Sequence, residues 1–207
     1  KGKKPILAIL GGAKVSSKLQ IINNLIEQVD KIIIAGGMAF TFIKANGGEI
    51  GDSICEPSLI PKAKLILEKA KRLNKQICFP EDVLAGNDFN KSTEEKVFHI
   101  SNIENGWMGM DISTKTIAVF EKVIMSSNTI FWNGPMGVFE KEKFSEGTRQ
   151  ICKVLKKAKD KRKYVIVGGG DSIAGLKNFG NADWVNYIST GGGAMLECLE
   201  GKKLPGV

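Results

Sequence analysis

Short, mainly apolar runs alternate along the chain with longer stretches in which apolar residues recur every three or four positions. The runs are Ile6 to Leu10, Ile32 to Ile34, Ile77 to Phe79, Thr129 to Trp132, Tyr164 to Val167 and Val185 to Ile188. Between them, Val15, Leu19, Ile22, Ile26 and Val29 stand at helical spacing. The same period marks Met38 to Ala45, Leu59 to Leu73, Thr114 to Met125 and Phe144 to Ala158. Continuous apolar strands belong to a sheet covered on both faces, and amphipathic helices are what cover it. The pattern predicts an α/β fold: a doubly wound, Rossmann-like, six-stranded parallel sheet with helices on both faces. Residues 1–207 read as one domain. Glu81 to Asp111 shows no clean period and reads as irregular, with one strand around His99.

Glycine punctuates this pattern where strands end. Half of the chain's 24 glycines follow five of the six runs. They are Gly11-Gly12, Gly36-Gly37, Gly134 and Gly137, the triplet Gly168-Gly169-Gly170 and the triplet Gly191-Gly192-Gly193. In an open parallel sheet the carboxyl ends of the strands share one edge, and ligands bind there. Turns between strands and helices account for one glycine each, but not for doublets and triplets. Glycine lets backbone N–H groups approach a ligand closely, and helix N-termini favour anions. The rim is therefore expected to bind phosphate groups. No GxxxxGK[ST] or GxGxxG sequence occurs, so neither the common P-loop nor the usual dinucleotide fingerprint supplies the chemistry.

Charge changes the picture little. Lys+Arg minus Asp+Glu is 30 − 22 = +8. The arginines are Arg72, Arg149 and Arg162, and the remaining basic residues are lysines. Base and phosphate readers lean on Arg forks, so a lysine-coated surface is preferred to nucleic-acid binding. No apolar run approaches the roughly 20 residues of a membrane span. The run after Lys1–Pro5 is too short for a signal-peptide core, and the chain reads as cytoplasmic. His99 alternates into a strand-like segment and reads as structural. Cys55, Cys78, Cys152 and Cys198 form no CxxC pair and read as reduced thiols.

Six stretches carry a more specific signal. They are Leu10-Gly-Gly-Ala-Lys-Val-Ser-Ser-Lys18, Gly36-Gly-Met-Ala-Phe-Thr-Phe42, Gly106-Trp-Met-Gly-Met-Asp111, Trp132-Asn-Gly-Pro-Met-Gly-Val-Phe-Glu140, Gly168-Gly-Gly-Asp-Ser172 and Ser189-Thr-Gly-Gly-Gly-Ala194. Taken in this order they resemble phosphoglycerate kinase, specifically its C-terminal, nucleotide-binding half. The resemblance runs from Pro5 to Val207. It implies reversible phosphoryl transfer between 1,3-bisphosphoglycerate and MgADP, giving 3-phosphoglycerate and MgATP.

The resemblance also implies roles for particular residues. Lys18 would contact the nucleotide phosphates and the transferring group, supported by Lys14 four positions earlier on the same helical face. Asp171 would hold the Mg²⁺ of the nucleotide, its alternative being a helix N-cap. Gly169, Gly170 and Ser172 would offer donors to the phosphates. The helix opened by Gly191, Gly192 and Gly193 would face the transferred group, so Gly170 and Gly192 count with the lysines as catalytic. Glu140 would accept hydrogen bonds from the ribose hydroxyls. Gly12, Ala13, Gly36, Gly37, Gly109, Met110 and Val138 would form the adenine slot, with Asn133 and Pro135 shaping the turn beside the phosphates. Trp107 and Trp132 read as core aromatics. Four positions depart from the family's usual residues: Ser17, Ala35, Ser113 and Met195.

The family's other half carries a basic cluster of arginines and histidines for the sugar acid. Nothing like it occurs in these 207 residues, and none of the three arginines falls in a rim loop. A small acid bearing phosphate and carboxylate wants Arg forks. The expectation is a monomeric lobe that binds ATP or ADP and meets 1,3-bisphosphoglycerate and 3-phosphoglycerate only through an N-terminal lobe absent from this chain.

Overall fold

A computed structural model describes residues 2–91 and 93–189. Among them the parallel strands are β1 (Ile6–Leu10), β2 (Lys31–Ile34), β4 (Gln76–Cys78), β9 (Thr129–Asn133), β10 (Tyr164–Gly168) and β11 (Tyr187–Ser189). They form one sheet in the order β11-β10-β9-β1-β2-β4, every pairing parallel. This is the sheet expected from the six apolar runs. The last strand begins two residues later than the run beginning at Val185, because a 3-10 turn occupies Ala182–Trp184.

The helices are α1 (Leu19–Gln28), α2 (Met38–Ala45), α3 (Ile60–Arg72), α4 (Thr114–Met125), α5 (Glu146–Asp160) and α6 (Gly170–Phe179). Successive strand residues point to opposite faces, and the core divides accordingly. Ala8, Leu10, Ile32 and Ile34 pack with Ile22, Ile26, Phe42 and Ile66 of the first three helices. Leu7, Ile9, Ile33, Trp132 and Val167 pack with Phe120, Ile151, Leu155 and Leu176 of the last three. Each face thus carries three consecutive helices, and β1 and β9, adjacent in the sheet, mark the reversal of winding.

Two expectations need correction. The segment 81–111 is not irregular. It holds β5 (Asp82–Gly86), β6 (Glu95–His99) and β8 (Met108–Ile112) in an antiparallel sheet of order β6-β5-β8, with a bulge at Leu84/Ala85. Two further short strands, β3 (Glu49–Ile50) and β7 (Asn102–Ile103), pair in parallel. The strand expected around His99 is β6, whereas the alternation of β8 is hidden because it carries Gly109 and Asp111 inside the strand.

The first helix also starts late. Val15–Ser17 is a 3-10 turn, Lys14 before it is extended, and α1 begins only at Leu19. Lys14 and Lys18 therefore do not share one α-helical face. The Gly192 assignment and the helix expected after Gly193 lie outside the described residues.

Asp82 and Asp111 dock the small sheet on the helices α4 and α5. Asp82, at the start of β5, accepts from the N–H groups of Lys115 (3.2 Å) and Thr116 (2.8 Å) and from the Thr116 hydroxyl (2.8 Å). Its carboxylate thereby satisfies the first turn of α4, whose own cap residue Ser113 makes no side-chain bond. Asp111 does the same for α5, accepting from Gly147 N–H at 2.7 Å. Both arrangements put carboxyl oxygens at a helix N-terminus, where the first N–H groups lack intrahelical acceptors.

Candidate nucleotide site

Where the winding of a doubly wound sheet reverses, the loops leaving adjacent strands part to opposite faces and open a crevice. A pocket of about 540 Å³ lies there. The loops after β1, β2 and β9 form one wall, through Gly12, Ala13, Gly36, Gly37, Pro135 and Val138. The small antiparallel sheet forms the opposite wall through Met108, Gly109 and Met110. Glu140 and Asp171 reach its edge, and both are exposed. Ten of the residues singled out in the sequence thus line one cavity.

Backbone close packing builds that first wall. A Cβ on Gly11 would lie 2.0 Å from the carbonyl oxygen of Pro135. Gly11 N–H donates to Asn133 O at 2.9 Å, Gly12 N–H to Pro135 O at 3.1 Å, and Met38 N–H to Gly12 O at 3.0 Å. Three loops are therefore joined by main-chain bonds, and at Gly11 their approach leaves no room for a side chain. Part of the rim's glycine content serves this packing rather than a ligand. Gly12 and Gly170 differ, since a Cβ on either would meet nothing within 4 Å.

The opposite wall is held by Asp111, which sequence reasoning passed over although it closes the Gly106–Asp111 stretch. Its side chain is buried and accepts from its neighbour Ile112 N–H at 2.8 Å and from Gly147 N–H. Gly137 and Gly147 leave it room, since a Cβ on either would come within 2.3 Å of its Oδ1. Val138 N–H donates to Met110 O at 2.8 Å and joins the two walls. Burial raises the Asp111 carboxyl to about 7, against the lowering effect of the Gly147 and Ile112 N–H groups.

Other residues absent from the sequence expectation complete the pocket. Phe40 lies under Gly109, whose Cβ would meet its ring at 2.2 Å. Ile54 and Phe89 line the cavity and are 41% and 49% exposed, unusual for large apolar side chains. The Lys141 ammonium stands 5.1 Å from the Phe89 ring centre, a cation–π contact at the pocket's edge. No local signal distinguished these residues, because the segments holding them come together only in the fold.

The polar end of the site is formed by Lys18 and the start of α6. Lys18 is half-buried. Desolvation pulls its ammonium below its ordinary value, and the nearby Asp171 carboxylate acts in the opposite sense. The N-cap of α6 is Gly169 at φ 89°, so Asp171 stands in the first turn rather than at the cap expected as its alternative role. N–H groups of the first turn have no intrahelical partner, and this helix end offers those of residues 170–172. The Ser172 side chain itself is buried, and its hydroxyl accepts from Gly134 N–H. It fastens the β9 loop to α6. Asn133 is buried beside Gly169, its amide 3.0 Å from where a Cβ of that glycine would sit. Lys14 is exposed and, with Lys18, Gly169, Gly170, Asn133 and Ser172, stands outside the pocket lining.

Trp132 is fully buried and donates through Nε1 to Gly134 O at 2.7 Å. Trp107 packs on Phe98, ring centres 5.6 Å apart. Both are core aromatics, as expected.

Comparison with known proteins agrees with this geometry. The family model described as phosphoglycerate kinase matches residues 1–202. The phosphoglycerate kinase of Campylobacter concisus is 48% identical over 204 residues, 99% of this chain and 50% of that protein. That of Finegoldia magna is 48% identical over 205 residues, 99% of this chain and 51% of that protein. The solved structure of phosphoglycerate kinase from Coxiella burnetii superposes with a TM-score of 0.89 at 40% identity, covering 98% of this chain and 52% of that one. The chain thus spans about half the length of the relatives it matches.

Proposed function

The chain belongs to the phosphoglycerate kinase family, and on that premise we propose that residues 1–207 are its nucleotide-binding domain, taking MgADP and MgATP in glycolytic phosphoryl transfer. One observation carries this reading. The apolar cavity at the switch point ends where a half-buried lysine, an exposed carboxylate and a helix N-terminus converge. A flat base fits between the glycine-lined wall and the Met108–Met110 strand. Glu140 at the edge accepts from ribose hydroxyls. Phosphates reach Lys18 and the free N–H groups of α6, and the anion restores the ammonium's proton affinity that desolvation takes away.

Asp171 suits an Mg²⁺ ion that arrives with the nucleotide. It is a single exposed carboxylate, and the described residues hold no cluster of three acidic, His or Cys side chains. Mg²⁺ typically takes one or two carboxylates and completes its shell with phosphate oxygens and water. In the reaction the terminal oxygen of ADP attacks the acyl phosphate of 1,3-bisphosphoglycerate, and the carboxylate of 3-phosphoglycerate leaves. Catalysis of such transfer is mostly positioning and charge stabilisation. Here Lys18, with Lys14 beside it, supplies charge, while Gly170 and its neighbours supply donors. The acid substrate is held by residues beyond this chain, so the 207 residues alone bind nucleotide without turnover. The enzyme acts as a cytoplasmic monomer.

Calorimetric titration with MgADP tests the reading. One-to-one binding is expected. Lys18→Ala should weaken it roughly 10- to 100-fold, the worth of a charge-assisted contact. A folded chain that takes up no MgADP overturns the assignment.

A further inference from the structure

The two lysines given to the phosphates lie on a turn, Lys14 to Lys18, that α1 anchors only at its far end, where Lys18 O accepts from Ile22 N–H at 2.9 Å. Within the turn, Ser17 Oγ donates to Lys14 O at 2.8 Å and Lys18 N–H to Val15 O at 2.9 Å. Its cap residue, Lys14, makes no side-chain bond to it. The N–H groups that open the turn are instead taken by a residue forty positions away. Glu56 Oε2 accepts from Ser16 N–H at 2.9 Å, and the same carboxylate takes a hydrogen bond from Val15 N–H. Glu56 is itself fixed from behind, its own N–H donating at 3.1 Å to the hydroxyl of Thr41, a fully packed residue of α2.

We infer that Glu56 is a positioning residue of this site: through the amides of residues 15 and 16 it holds the Lys14–Lys18 turn, and with it both ammonium groups, in the conformation that receives nucleotide phosphates. The inference rests on the nucleotide reading above and adds a residue to it. Glu56 touches no nucleotide in this scheme, because it acts through the turn. A carboxylate on the first N–H groups of a turn works as a cap does, and here it is supplied from the segment before α3. Ordering the turn before the ligand arrives removes that cost from binding. The balance of effects on Glu56 agrees. Partial desolvation pushes its carboxyl up, but the Ser16 and Val15 hydrogen bonds and the Lys14 charge outweigh it and hold the group below its ordinary range. It is therefore ionised, and the turn held, throughout the neutral range.

The test compares two ligands on the unsubstituted chain and on Glu56→Ala and Glu56→Gln. MgADP reports the slot together with the lysines, whereas adenosine reports the slot alone. Glu56→Ala should weaken MgADP roughly three- to tenfold, as loss of a cap does, and leave adenosine unchanged. Glu56→Gln keeps an acceptor oxygen and should recover most of the loss. Hydrogen exchange at the amides of residues 15–18 should quicken in Glu56→Ala. Equal MgADP affinity in all three proteins overturns the inference, and so does a parallel loss for adenosine, which marks Glu56 as merely structural. Failure of the underlying reading looks different: the unsubstituted chain then binds MgADP no more tightly than adenosine, and both fall together.

Discussion

Asp111 shows how one residue joins packing to titration. Its carboxyl is buried, and burial raises it from an ordinary 3.8 to about 7, with the Glu146 charge acting in the same sense. The folded protein therefore keeps a proton that the unfolded chain has released between those two values. Stability must then fall as pH rises through that window and level off above it. Asp111→Asn removes the titration while nearly preserving volume. The melting temperature of the unsubstituted protein should fall from pH 5 to pH 8 relative to that of Asp111→Asn, whose profile should be flatter. Parallel profiles would show that Asp111 keeps its ordinary proton affinity. The residue was visible in the sequence as the end of Gly106–Asp111, but its burial and its bond to α5 were not. A carboxylate thirty-six positions from its partner amide leaves no local trace. Glu56 is the same case at forty positions. By contrast Lys18, Asp171 and Glu140 stand out in the sequence because each sits inside a contiguous motif.

At the scale of elements, what the sequence disclosed followed burial. Strands covered on both faces, such as Ile6–Leu10, are apolar throughout and announce themselves. So do α2 and α4, whose observed bounds equal those read from periodicity. The small sheet did so only at β6, read as a strand around His99, because β8 interrupts its alternation with Gly109 and Asp111. Yet that sheet supplies a whole wall of the cavity, of which the sequence reading named Gly109 and Met110 without the strand that carries them. The rim glycines separate along the same line, and their substitution distinguishes packing from openness. Gly11→Ala forces a methyl to 2.0 Å from the Pro135 carbonyl, backbone against backbone. The β1 and β9 loops must part, and urea denaturation should record a loss of about 2–4 kcal/mol. Gly170→Ala has open space around it and ordinary helical backbone, and its stability should stay within about 0.5 kcal/mol. Equal losses at the two positions would mean that loop packing does not explain Gly11.

For the whole molecule, the charge of +8 and the placement of three arginines decide what the chain can hold. Much of the lysine-rich end of α5 is engaged: Lys156 with Asp160 at 2.6 Å, Lys157 with Glu121 at 2.6 Å, and Lys163 with Ser127 O at 2.7 Å. A stripe spent on intramolecular partners offers little to nucleic acid beyond weak, salt-sensitive attraction. The arginines are equally committed or remote. Arg149 faces Glu142 and Glu146, Arg72 ends α3, and Arg162 sits in the turn after α5 at φ 59°. None lines the cavity. A substrate with a carboxylate and a phosphate a few ångströms apart asks for planar, bidentate donors, and lysines on a turn are a poor replacement. Saturating 3-phosphoglycerate should therefore leave the MgADP isotherm of this chain unchanged, and a coupled assay should record no turnover. Joining the chain to the remaining half of a relative's sequence should restore both coupling and turnover, since that half is where guanidinium groups must be found. A shift of the MgADP isotherm by 3-phosphoglycerate in the 207 residues alone would place an acid site within them, and the lysines at 14 and 18 would then have to hold two anions rather than one.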